Sequence, residues 1–169
     1  GTVLHNFLDT ARDVLISYHG GDGNDVSLKV GPQILHWQGD VDSKWSTPGN
    51  WREGVAPVEG AELLFETQTP GFAGNFSPQN DIPNLRVSSL FVSDTWSSQD
   101  FVLSGLPIEI TKGIQVNGDN MFTMSMDSLT LTAPQSFLLN SVNTNWNSPL
   151  VLQSALLIQG KNMEFSGAI

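Results

Sequence analysis

Short apolar runs separated by turn-forming residues dominate the chain. Near the start, Val14, Ile16 and Tyr18 alternate with other positions, and Val26, Leu28 and Val30 do the same. Between them lies HGGDGND (19–25), with three glycines and two carboxylates. Period-two runs on either side of a Gly/Asn/Asp cluster predict a hairpin. Residues 8–13 have room for a single helical turn at most. Residues 31–60 break the alternation: Trp37, Trp45 and Trp51 stand among Gly39, Pro48, Gly49, Asn50, Gly54, Pro57 and Gly60. This segment is expected to be loop-rich, with its indoles folded onto the end of a core. Leu63, Leu64 and Phe65 predict a short strand. Residues 66–83, with Pro70, Pro78 and Pro83, read as an excursion loop.

From Leu85 onward the pattern becomes regular. Apolar runs recur at 90–92, 101–103, 108–110, 114–116, 122–126, 129–131, 137–139, 150–152, 156–158 and 163–165. Gly105, Pro107, Gly113, Gly118, Pro134, Asn140 and Gly160 lie between them. Strands this short do not make a stable free sheet, but they can stack as rungs of a solenoid, each coil buried on its neighbours. A barrel or a two-sheet sandwich gives similar spacing, so periodicity alone leaves these open. No helix-length segment has a 3.6-residue period, which makes the class all-β.

Composition narrows the function. Apolar residues are 39% and charged residues 14% of the 169; Ser, Thr, Asn, Gln and Gly fill the gap, as suits short strands and tight turns. The formal net charge of −10 opposes binding to nucleic acid or to an anionic membrane surface. With no cysteine there is no disulfide framework and no thiolate chemistry. No signal peptide is recognisable, and no run approaches the ~20 apolar residues of a membrane helix, so this segment is not expected to insert directly.

Three stretches carry a family resemblance. LISYHGGDGNDVSLKV (15–30) resembles the hairpin that closes a repeat array in large bacterial autotransporter-like passenger proteins. KWSTPGNWREGVAPVEGAELLF (44–65) is similar to the opening of the next module in such proteins. LRVSSLFVSDTWSSQDFVLSGLPIEITKGIQVNG (85–118) and LVLQSALLIQGKNMEFSGAI (150–169) resemble rungs of the autotransporter-associated β-strand repeat. The Gly-rich repeat that closes each array is absent, and Leu106-Pro107 displaces a usual Gly. The resemblance implies a right-handed parallel β-helix preceded by a β-hairpin and a Trp-rich segment. It divides the chain into a closing hairpin (1–30), a Trp-rich cap and module start (31–84) and β-helix rungs (85–169). It also implies export and display at the bacterial surface, in a structural or adhesive role without enzymatic activity and with no cofactor.

The residues offer several candidate sites, each with a plainer reading beside it. GGDGNDVSL (20–28) partly matches a calcium-binding nonapeptide, with Asp22, Asn24 and Asp25 as the oxygen donors. Only one copy is present and Ser27 occupies an aliphatic position, so a hairpin loop is the preferred reading and calcium binding stays open. Trp37, Trp45 and Trp51, with Trp96 and Trp146 later, could stack on sugars; a core plug capping the solenoid is preferred. Asp40 with Asp42, and Glu59 with Glu62, could serve glycosidic chemistry as in β-helical polysaccharide enzymes, but read as solvated loop charge. His5, His19 and His36 lack metal-ligand spacing. Asn143–Asn147 could form a side-chain ladder or a polar turn.

The expected function is a stiff structural or adhesive segment, its partners being surface or host glycans and proteins. A carbohydrate-active β-helix module, either lyase, hydrolase or glycan-binding domain, is the alternative. Self-association through exposed edge strands is expected of a solenoid segment with open ends.

Overall fold

A computed structural model describes residues 2–20, 25–68, 72–94, 99–140, 143–160 and 163–166. Fifteen strands run through them: β1 (Thr2–Leu4), β2 (Arg12–Gly20), β3 (Asp25–His36), β4 (Glu62–Glu66), β5 (Gln79–Asn80), β6 (Leu85–Asp94), β7 (Phe101–Gly105), β8 (Ile108–Gly118), β9 (Met121–Met126), β10 (Leu129–Leu131), β11 (Gln135–Asn140), β12 (Asn143–Trp146), β13 (Leu150–Leu152), β14 (Leu156–Gly160) and β15 (Met163–Phe165).

The expected hairpin is present. β2 and β3 pair antiparallel, with Val14 opposite Val30 and Ile16 opposite Leu28, and β1 adds a third antiparallel strand. The segment joining β1 to β2 does not form a regular helical turn. Asn6, Leu8, Asp9 and Ala11 all have positive φ, between 48° and 56°, around a one-turn 3-10 helix at Phe7–Asp9. Such backbone is costly for residues with a Cβ. Asn6 offsets part of that cost, because its side-chain oxygen accepts from the Ala11 N–H at 2.8 Å and its amide donates to Asp9 at 3.3 Å.

The end of β3 then becomes the first rung of a parallel β-helix of about four turns. Ile34, Leu35 and His36 pair in parallel with Glu62, Leu63 and Leu64, and β4 pairs in turn with β6 and β6 with β8. The rungs therefore start inside the Trp-rich segment, well ahead of residue 85. β8 is long enough to pair with both β10 and β11, which continue onto β13 and β14. A second wall stacks β5, β7, β9, β12 and β15. Part of the presumed excursion loop belongs to it, since Gln79 and Asn80 pair in parallel with Ser104 and Gly105. Parallel pairing of strands distant in sequence rules out the antiparallel barrel and sandwich that periodicity left open.

Alternation on each rung sends one row inward. Leu35, Leu63, Leu90, Ile114 and Phe137 lie in register and are buried, and Phe65, Val92, Val116 and Leu139 form the adjacent row. From the opposite wall come Phe101, Leu103, Phe122, Met124 and Trp146, with Trp146 stacked on Phe137 at 5.2 Å. Full burial of such side chains contributes roughly 1.5–3 kcal/mol each, so the stacked rows hold the coils together. Two glycines permit the close approach of neighbouring coils. Gly113 has φ 153° and a Cβ there would meet the Ser136 carbonyl; Gly105 has φ 111° and a Cβ there would meet the Asn80 backbone. The turn at Leu106-Pro107 is held by Asn80, whose side-chain amide donates to both carbonyls at 3.1 and 3.4 Å.

Candidate functional site

A concave surface lies where the hairpin joins the first rung. It is a cleft of about 400 Å³ between the β1–β2 connection and the end of β3, walled by Ala11, Gly31, Pro32 and Ile34. Two imidazole–carboxylate pairs stand on its rim. Alternation along β3 turns Leu35 into the core and leaves Ile34 and His36 outside. The 51–54 turn brings Glu53 up to His36. One Glu53 oxygen accepts from His36 Nδ1 at 2.7 Å and the other from the His36 backbone N–H at 2.9 Å. The Arg52 guanidinium straddles the ring edge, 2.7 Å from Nδ1 and 3.2 Å from Nε2. The Glu66 carboxylate stands 3.9 Å from Nε2. Across the cleft, His5 Nδ1 lies 2.9 Å from Asp13, which also accepts from the Asn6 N–H at 3.1 Å.

Electrostatics follow this geometry. Burial raises the Glu53 pKa, but the hydrogen bonds from the His36 ring and backbone outweigh it, and the carboxyl ends below its ordinary range. The His5 ring, then the Asn6 N–H, hold Asp13 below its ordinary range as well. Both carboxyls are thus ionised and committed to partners, and both His36 nitrogens are engaged. The rim clamps the cap loop to the first rung. It presents no free base aligned on a nucleophile.

The indoles singled out in the sequence are not at any surface. Trp37, Trp45 and Trp51 are 0%, 0% and 2% exposed. Trp51 meets Trp37, Trp45 and Phe65 edge to face, at centroid distances of 5.2, 6.3 and 5.8 Å, and Trp37 and Trp45 lie tilted on Phe65. Trp37 Nε1 donates to the Asn75 carbonyl and Trp51 Nε1 to the Trp45 carbonyl. With both ring faces packed, none of the three can stack on a sugar, so the glycan-stacking assignment is replaced by the core plug. Trp96 lies outside the described residues, and so does the tip of the calcium-like turn, 21–24, including Asp22 and Asn24.

Among the carboxylate pairs, Asp42, Glu59 and Glu62 are each engaged by other groups. Asp42 accepts from the Lys44 N–H, the Asn50 amide and the Thr47 hydroxyl, which together lower its pKa, the Lys44 contact most. Glu59 lies 3.7 Å from Arg86, and Glu62 lies 2.8 Å from Lys112. Among the described residues no three His, Cys, Asp or Glu side chains are grouped to hold a metal ion. A side-chain ladder bond forms between Asn140 and Asn117, at 3.1 Å, outside the 143–147 stretch.

Sequence reading missed the buried amides that organise the loops. Asn50 is fully buried; its oxygen accepts from the Val41 and Asp42 N–H groups and its amide donates to Asp42 and to the Lys44 carbonyl. Gln33 likewise receives the Val58 N–H and donates to the Thr10 and Ala56 carbonyls. A shallower groove of about 230 Å³ crosses the outer face of three coils, with Phe91, Leu138, Gln115, Lys112 and the Gly113 backbone around it. Comparison with protein-family models, with curated proteins and with solved structures returned no match.

Proposed function

We propose that the chain is a stiff spacer within a large exported bacterial surface protein, holding adhesive or other elements away from the cell. The unbroken inward row from Leu35 through Leu63, Leu90 and Ile114 to Phe137 carries this reading. Each coil is the wall of the next, so bending the rod means separating packed side chains along its length. The outer face is mostly neutral and polar, and a Cys-free, acidic composition suits a chain that folds after export. Antibody labelling of intact and permeabilised producing cells tests it. The spacer role expects labelling of intact cells; labelling only after permeabilisation removes it.

One observation favours a second reading, glycan binding on the outer face. The groove beside Phe91 offers a part-exposed ring with Lys112, Gln115, Ser89 and Ser136 around it, a mixture that suits a sugar's apolar face and hydroxyls. A glycan array with the purified chain and its Phe91→Ala variant decides between them. Binding lost in the variant supports the second reading, and no binding leaves the spacer alone.

A further inference from the structure

Strands β6, β8 and β11 present an outer face ordered in columns. Register places Ser89, Gly113 and Ser136 side by side, then Phe91, Gln115 and Leu138, then Ser93, Asn117 and Asn140. The intervening residues, such as Leu90, Ile114 and Phe137, are buried, so alternation turns the three columns outward. The middle column is mainly apolar. Hydroxyls border it on one side, and on the other lie a hydroxyl and two amides, with Asn140 donating to Asn117 at 3.1 Å. At Gly113 the missing side chain leaves a depression between Ser89 and Ser136. The columns hold no charged residue, in a chain with 17 acidic and 7 basic ones. One coil nearer the cap, the same columns continue as Glu62, Leu64 and Glu66. Lys112, at the edge of the groove, is bound to Glu62 at 2.8 Å.

We propose that this face takes a neutral, linear glycan laid along the solenoid axis, with successive sugars over Phe91, Gln115 and Leu138, which rests on the glycan-binding reading of the groove and specifies its ligand. Backbone pairing excludes a peptide strand. β6, β8 and β11 each have a paired strand on both sides, so an extended peptide has no edge to join. Recognition falls to side chains alone. An apolar strip between hydroxyls and amides matches a pyranose ring, which has an apolar face and hydroxyls around its rim. Neighbouring rungs stand about 4.8 Å apart, close to the length one hexose adds to an extended β-linked chain. Charge selects among glycans. A uronate or sulfated polymer would meet Glu62 and Glu66 at one end of the columns and only a paired cation beside them.

Isothermal titration calorimetry of the whole chain tests this, with cello- and chito-oligosaccharides of two to six sugars and oligouronates of the same lengths, up to about 5 mM. The neutral sugars are expected to bind independently of salt, with affinity rising about tenfold from two sugars to four and then levelling. Phe91→Ala should weaken binding about tenfold at every length. Leu138→Ala, two rungs away, should weaken the tetrasaccharide about threefold and leave the disaccharide unchanged. Both residues face outward, so near-ultraviolet circular dichroism of the buried indoles should stay the same in both variants. Oligouronates bound more tightly than the neutral sugars overturn the proposal and leave the glycan-binding reading standing. So does a Leu138→Ala variant that binds every length as the wild type does, which would lay the glycan across the rungs. No binding of any of these sugars overturns both.

Discussion

Asn50 shows what a single buried polar side chain does here. It satisfies two backbone N–H groups and one carbonyl inside the cap loop and also binds the Asp42 carboxylate. Asn50→Ala strands those groups without water, and buried unpaired groups are expensive. Unfolding in denaturant, followed by indole fluorescence, should show a loss of about 2–4 kcal/mol. Glu53 is a second sensitive residue. Its pKa is lower in the folded chain than in the unfolded one, so it stabilises the fold above the unfolded value. That contribution fades as pH falls below about 4.3 and through the folded pKa. An acid titration of wild type and Glu53→Gln should show wild type converging on the variant at low pH, with the difference greatest near neutrality.

At the scale of the strand, the sequence made alternation visible but not register. The hairpin was legible because Val14, Ile16, Leu28 and Val30 flank a Gly-rich turn, and local chemistry sets a hairpin's pairing. The rungs from 85 onward were legible as short apolar runs. Their partners were not, because parallel pairing joins residues about twenty or more positions apart and no short-range rule selects among such pairs. The rung at 34–36 was hidden for the same reason: it forms the tail of a hairpin strand and is recognisable only by its parallel partner at 62–64. The left-handed run at Asn6, Leu8, Asp9 and Ala11 was hidden because two of these residue types, Leu and Ala, rarely adopt positive φ. The His36–Glu53 clamp depends on the same unseen register. Gly113 is the clearest register-setting residue, because it faces Ser89 on one side and Ser136 on the other. Gly113→Ala meets the Ser136 carbonyl in a backbone conformation that disfavours a Cβ. A loss of about 1–3 kcal/mol is expected, measurable as a lower thermal midpoint. Gly54→Ala has open space around it and should cost less.

For the molecule as a whole, stability is expected to be graded along the axis. The middle coils are covered on both sides, while the last rung leaves Val151, Leu152 and Leu157 about half exposed. Native-state hydrogen exchange should therefore be slowest in β6 and β8 and progressively faster towards β13 and β14, as expected of a one-dimensional stack. A uniform protection pattern would show instead that the coils open together. The inward row also has a direction. Leu63, Leu90, Ile114, Phe137 and Ile158 stand in register, and each interval along the chain is shorter than the one before. Along this row the coils thus differ in length and are not copies of one unit. Duplicating or excising a single turn would set coils of unequal length side by side, so lengthening this rod calls for added turns matched residue by residue to their neighbours.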